Sequence, residues 1–192
     1  MSLMTTPEVW LGEDRMLTVD DMENVPDDGF RYELDDGVLV VSPAPGTVHQ
    51  LAVTRLTVLL SSACPDDFLV LAGPGINLSR FQHRVPDVAV LRWASFQEPF
   101  PEDPPVLAVE VASPRTRVYD RNRKKDVYEK FGVRSYWIIE PDAQRTSLTV
   151  FELRRRRYAE VIRVAGEQRY QAAEPFPVSV VPASLVAMPA AP

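Results

Sequence analysis

The sequence predicts a mixed α/β (α+β) fold in which a central β-sheet is flanked by helices. Three observations predict it. Apolar runs of strand length recur at 68–71, 88–91, 106–112 and 135–140. A helical segment near 120–131 separates the last two, and a strand–helix–strand unit of this kind normally closes a parallel, right-handed crossover. Asp35-Asp36-Gly37 joins two further strand-like runs, which is a hairpin signal.

The elements follow in order. Thr18-Val19-Asp20-Asp21 resembles a capping box for a short first helix. Phe30 to Leu34 and Val38 to Val41 form the arms of the Asp-Gly hairpin, and Pro43-Ala44-Pro45-Gly46 stops the second arm. Thr47-Val48-His49-Gln50 reads as another capping box, opening a helix of about four turns that runs to Ala63 with Leu51, Leu56, Leu59 and Leu60 on its apolar side. Phe68 to Leu71 and Gly75 to Leu78 are short strands. A strand carrying Asp87, a Pro-rich loop at 99–105 and a strand carrying Glu110 come next. The helix from about Asp120 to Phe131 ends at Gly132, a suitable C-cap. Ser135 to Glu140 is an apolar strand. Leu148 to Leu153 and Tyr158 to Val164 then make a hairpin with Arg154 to Arg157 at its exposed turn. No repeat or long linker divides the chain, so a single domain over 1–192 is expected, with its core at about 18–180 and frayed Pro/Ala-rich ends.

Composition narrows the function classes. Cys64 is the only cysteine, which excludes an intrachain disulfide and a cysteine zinc site. No apolar run approaches a membrane span, and no basic segment followed by an apolar core opens the chain, so no membrane and a cytoplasmic location are expected. The formal charge of −6 argues against a nucleic-acid partner. Its distribution softens that objection: residues 1–40 hold eleven acidic and two basic side chains, and the remainder carries a small positive excess. The basic residues gather at 113–134 (Arg115, Arg117, Arg121, Arg123, Lys124, Lys125, Lys130, Arg134), which is either a solvated helix face or a nucleic-acid surface.

Three residues stand out against this frame. Asp87 and Glu110 each occupy an otherwise apolar strand, and burying a carboxylate is costly unless it is paired. Strand alternation puts Asp87, Ala89 and Leu91 on one face, and Val106, Ala108, Glu110 and Ala112 on one face of the other strand. An antiparallel pairing with Leu91 opposite Val106 would set Asp87 opposite Glu110, with small Ala89 and Ala108 beside them. At 100° per residue, Lys124 lies within about 60° of Val127, Tyr128 and Phe131, on the core-facing stripe of its helix; Lys125 does not. Two carboxylates and an ammonium turned inward fit either an internal ion network or a site for a hard cation such as Mg²⁺, which prefers oxygen ligands.

In this order the residues resemble the Uma family of restriction-type endonucleases, a branch of the PD-(D/E)XK nuclease superfamily. The resemblance covers about residues 18 to 180. Its markers are Arg31-Tyr32-Glu33-Leu34 with Asp36-Gly37, then His49-Gln50 and Pro86-Asp87-Val88. Val109-Glu110-Val111-Ala112-Ser113-Pro114-Arg115-Thr116 follows, continued by Tyr119-Asp120, Lys124, Tyr128, Gly132-Val133 and Tyr136-Trp137-Ile138. The resemblance implies a restriction-endonuclease-like mixed sheet and a DNA substrate. It implies Mg²⁺ (or Mn²⁺) on Asp87, Glu110 and the carbonyl oxygen of Val111, with Lys124 as the catalytic lysine. The superfamily pattern would place that lysine two residues after the glutamate, where this chain has Ala112; the family instead supplies it from the next helix. Glu33 and His49 match further family positions. Glu33 is either a metal-side or water-orienting acid or a cap for a neighbouring group, and His49 either contacts phosphate or a metal-bound water or is a packing residue. Asp120 reads as a helix cap, and Tyr128, Tyr136 and Trp137 as core. A homodimer is an expectation from the need to cut two strands. The alternatives are a nucleic-acid-binding protein with a degenerate, non-catalytic nuclease fold, and a structural domain with an internal ion network.

Overall fold

The computed structural model describes residues 8–10, 15–112, 120–142 and 145–188. In chain order the elements are β1 (Glu8–Trp10), a 3₁₀ helix (Val19–Asn24), β2 (Arg31–Asp35), β3 (Val38–Ser42), α1 (Thr47–Ala63), β4 (Phe68–Ala72), β5 (Ile76–Ser79), β6 (Gln82–Arg84) and β7 (Val88–Arg92). A short 3₁₀ turn (Trp93–Ser95) leads on to β8 (Leu107–Val111), a π-helical turn (Asp120–Lys124), α2 (Lys125–Lys130), β9 (Ser135–Glu140), β10 (Ser147–Arg154), β11 (Arg157–Ala165), β12 (Tyr170–Ala172), β13 (Val178–Val180) and α3 (Pro182–Val186). Ser113 to Tyr119 lie outside the described residues, as do the side chains of Asp120 and Arg121, so the helix-cap reading of Asp120 and the positions of Arg115 and Arg117 lie there too.

A six-stranded sheet of order β11-β10-β9-β8-β7-β4 forms the centre, and a five-stranded sheet of order β1-β3-β2-β6-β5 stands beside it. β8 and β9 are parallel, as the intervening helix requires, while β7 and β8 are antiparallel. Their register pairs Val88 with Val109, Ala89 with Ala108 and Val90 with Leu107. This is the register whose continuation by one position would face Asp87, just before β7, with Glu110.

That parity divides the core. Val88, Val90, Leu107, Val109, Trp137 and Ile139 pack on one face of the central sheet with Ala52, Val53, Leu56 and Leu60 of α1. Ala89, Leu91, Ala108, Tyr136 and Ile138 face the other way, with Val127 and Tyr128 of α2 and Ile76 and Leu78 of β5. Asp87 and Glu110 share the parity of this second face. Among the described residues no helix is long and apolar enough to cross a membrane.

Several local expectations need correction. Gly46, in extended backbone, is the N-cap of α1, so Thr47 is its first helical residue rather than its cap. The Gln50 amide bonds back to the Gly46 carbonyl at 3.1 Å, which fixes that starting point. The helix expected from Asp120 begins as a π-helical turn and becomes α-helical only at Lys125. β6 has no apolar alternation to announce it, yet Gln82, His83 and Arg84 are all buried.

The Asp-Gly hairpin forms as expected, with Asp36 at φ 48° and Gly37 at φ 81°. A Cβ on Gly37 would stand 2.8 Å from Met16 Cε and 2.9 Å from Met16 Cβ. Gly37→Ala therefore combines left-handed backbone strain with a steric overlap. We expect a loss of about 1–3 kcal/mol in urea unfolding; an unchanged midpoint would show that the turn relaxes without cost.

Candidate active site

β7 delivers Asp87 just before its first residue, and β8 delivers Glu110 one residue before its last. The two carboxylates thus arrive at the same end of adjacent strands. β2 of the neighbouring sheet brings Arg31 and Glu33, the first turn of α1 brings His49, and the π-helical turn brings Lys124. Glu33, Asp87, Glu110 and Lys124 are between 2% and 5% exposed, so their charges must be matched within the protein.

The matching is specific. Lys124 Nζ stands 3.0 Å from Glu110 Oε2 and 3.1 Å from Glu33 Oε1. Glu110 Oε1 accepts the Tyr128 hydroxyl at 2.9 Å. Asp87 Oδ1 accepts from Arg31 Nη1 at 2.7 Å; its Oδ2 accepts the Val111 amide at 2.7 Å and lies 3.1 Å from His49 Nε2. Glu33 Oε1 also accepts the Val85 amide at 2.9 Å.

The electrostatics follow from these partners. Burial pushes the Asp87 carboxyl upward, but the His49 hydrogen bond and the Arg31 charge overcome it and hold Asp87 well below the usual carboxylate range. For Glu33 burial is again the largest influence and raises it; the charges of Lys124 and Arg84 outweigh it and leave Glu33 low. The Tyr128 hydroxyl is pushed well up, by burial first and by the Glu110 charge next, so it serves as a hydrogen-bond donor.

A second ion cluster adjoins the first. Arg84, fully buried on β6, pairs with Asp35, and Arg123 forks onto Asp35 at 2.9 and 2.7 Å and bonds Asp36. Arg123 precedes Lys124 in the chain, so this clamp ties the π-helical turn to the β2–β3 hairpin.

Both oxygens of Asp87 and both of Glu110 already have donors, so a cation here would have to displace some of them. Glu33, Asp87 and Glu110 against Arg31 and Lys124 leave one unit of negative charge among these five residues. Among the described residues His49 Nδ1, on the ring edge away from the Nε2 contact with Asp87, is buried without a hydrogen-bond partner. Among the described residues no three His, Cys, Asp or Glu side chains converge as a metal cage. An ion here would rest on Asp87, Glu110 and backbone oxygen and keep waters, which is how Mg²⁺ is usually bound.

A family described as "putative restriction endonuclease", Uma2, matches residues 19–185. The chain belongs to the Uma2 family. The crystal structure of a "putative nuclease belonging to DUF820" from Anabaena variabilis superposes with a TM-score of 0.64 at 17% identity, covering 88% of this chain and 91% of that one. At that identity the likeness is one of fold: the two chains share the mixed-sheet architecture. No curated protein matches the chain.

In this Uma2 chain the structure brings together Asp87, Glu110, Lys124, Glu33 and His49, with Val111 contributing its amide to Asp87. Glu33 accepts the Val85 amide and pairs with Lys124, contacts that belong to the reading of it as a cap for neighbouring groups. Lys125 stays out of the site and lies over the Phe151 ring at 4.3 Å. His83 also stays out, bonded to Asn77 at 2.7 Å. Three contributors escaped the sequence reading: Arg31, Arg84 and the Tyr128 hydroxyl. Arg31 belongs to the Arg-Tyr-Glu-Leu marker and carried a signal that went unused; Arg84 had none.

Proposed function

We propose that the chain is a divalent-metal-dependent endonuclease that hydrolyses DNA phosphodiester bonds at the Asp87–Glu110–Lys124 site, with Glu33 and His49 in support. Mg²⁺ or Mn²⁺ is the proposed metal. The observation that carries the proposal is the buried ion network: Val111, next to Glu110, donates its amide to Asp87 Oδ2 at 2.7 Å, and buried Lys124 stands 3.0 Å from Glu110.

Asp87, Glu110 and the Val111 carbonyl would hold the ion, which when bound polarises a phosphate and eases ionisation of an attacking water. The chain's own residues do the rest. Lys124, fixed between Glu33 and Glu110, presents an ammonium that orients the water and offsets charge growing on the phosphate oxygens. Tyr128 fixes the Glu110 carboxylate from its other oxygen. His49 and the Val111 amide fix Asp87 Oδ2, so the liganding groups are held before substrate arrives. Cutting both strands of a duplex takes two such sites, which a homodimer would supply.

Incubation of supercoiled and linear DNA with Mg²⁺ or Mn²⁺ tests this reading. Nicked or linear products are expected, and Glu110→Gln should reduce their rate by at least about 10²-fold. No cleavage by the folded protein with either metal, or cleavage undiminished in Glu110→Gln, would sink it.

A further inference from the structure

Arg31 is the charged group of this site for which the catalytic scheme has no use. Its Nη1 donates to Asp87 Oδ1 at 2.7 Å and reaches the Val85 carbonyl at 3.4 Å. A guanidinium carries five N–H donors in a planar fork, and these two contacts engage one nitrogen of it. The side chain is a quarter exposed while Asp87 is almost fully buried. Its exposed part lines a cleft of about 810 Å³ whose wall also includes Tyr32, Gly73, Val85 and Phe100. The cleft abuts the site directly, because the Gly73 amide donates to the Asp87 backbone carbonyl at 3.0 Å. Glu23 and Asp27 on the same lining are acidic, so Arg31 is the group there that would attract an anion.

Arg31 also stands where a metal ion's charge would be felt. Burial opposes its charge, and the charges of Asp87 first, then Glu110 and Glu33, sustain it. One guanidinium therefore answers the same carboxylates that a divalent cation would bind. Two cations cannot share Asp87 Oδ1 without strong repulsion across a low-dielectric gap. Guanidinium forks match phosphate oxygens as well as they match carboxylates.

We propose that Arg31 is an exchangeable counter-ion: it neutralises Asp87 when no metal is bound, and it passes to a phosphate of the substrate in the adjoining cleft when a divalent cation takes its place on Asp87. This rests on the metal-site reading above. It assigns to the cleft a nucleic-acid phosphate next to the scissile one, and it makes metal binding and phosphate binding mutually supportive. The metal displaces Arg31, and the displaced Arg31 grips the substrate.

The test uses the whole chain and two readouts that do not depend on turnover. Titration of Mn²⁺ alone by calorimetry should give a dissociation constant roughly tenfold lower for Arg31→Met than for the unsubstituted protein, because the competing charge is gone. Binding of a phosphorothioate DNA duplex, measured across salt concentrations, should show a slope that steepens by about one unit when Mn²⁺ is added, because one further phosphate contact releases a counterion. In Arg31→Met that increment should vanish. Arg31→Lys, which keeps a cation, should bind Mn²⁺ about as the unsubstituted protein does. If Arg31→Met does not fold, Arg31→Gln, which still donates to Asp87, carries the same expectations. Arg31→Met binding Mn²⁺ no more tightly, or a salt slope that Mn²⁺ leaves unchanged in the unsubstituted protein, overturns the exchange while the nuclease reading stands. Absence of any Mn²⁺ binding to the unsubstituted protein overturns both.

Discussion

Lys124→Ala is expected to abolish cleavage and to cost the fold about 3–5 kcal/mol at neutral pH, the range seen when one partner of a buried ion pair is removed. Lys124 is 5% exposed and touches Glu110 and Glu33 at 3.0 and 3.1 Å. Its loss leaves two buried carboxylates without the cation between them. For Glu33, burial already pushes the carboxyl up, and Lys124 is the strongest of the influences that hold it down. The sign of the pH effect follows. A carboxyl whose folded pKa is lowered contributes stability that is present above its unfolded pKa, about 4.3 for Glu. That contribution is lost as pH falls through the folded value. The gap between the unsubstituted protein and Lys124→Ala should therefore be full at pH 7 and narrow below about pH 4.3. Urea unfolding at pH 7 and pH 4, beside a cleavage assay, reads both effects. Cleavage that survives removes Lys124 from the chemistry; a stability gap that ignores pH removes the ion network.

That Lys124 could be placed from sequence at all has a physical reason. The extra residue of the π-helical turn is inserted before α2, so the phase between Lys124 and Val127 and Tyr128 stays helical, and those three are buried together. Helix phase alone then separates Lys124 from Lys125, whose ammonium sits over an aromatic ring. Strand alternation placed each acid on one face of its strand, but both faces of β7 and β8 are apolar and buried, so alternation alone did not choose the register; the requirement that the acids meet did. Ala89 opposite Ala108 leaves room beside the acids.

The remainder was illegible because its partners are distant in sequence and no periodicity marks them. Arg84 finds Asp35 across 49 positions, and Arg31 finds Asp87 across 56. β6 reads Gln-His-Arg, which no hydrophobic pattern would assign to a buried strand. Its burial is tolerated because each side chain has a partner: Gln82 bonds Asp35 and Asp36, His83 bonds Asn77, and Arg84 bonds Asp35. The N-cap of α1 was missed by one residue because Gly and Thr are both good caps, and composition does not choose between neighbours.

The second large effect is expected at Asp87. Asp87→Asn keeps the shape of the side chain and removes its charge. Asp87 accepts from Arg31, His49 and the Val111 amide, and the amide side chain can satisfy only part of that set. The Arg31 guanidinium, a quarter exposed, loses its nearest counter-ion and keeps only the Glu110 and Glu33 charges, at a cost of about 1–3 kcal/mol. The Asp87 carboxyl is held low: burial raises it, but the His49 hydrogen bond and the Arg31 charge prevail. Its contribution is present above the unfolded pKa of about 3.9 and is lost only as pH falls through the still lower folded value. The stability gap to Asp87→Asn should thus be level from pH 7 to about 4.5 and close only in stronger acid. Cleavage should fall by at least about 10³-fold if Asp87 holds the metal as proposed, since that charge is gone. Combining Asp87→Asn with Arg31→Met separates the two roles. Removing the guanidinium should return part of the lost stability, because a pair of neutral side chains replaces a partly buried charge that has lost its nearest partner. Cleavage should not return, because no neutral pair supplies the carboxylate. Recovery of both would make Asp87 a structural anion only. Recovery of neither stability nor activity would mean that Arg31 and Asp87 are not each other's principal partners.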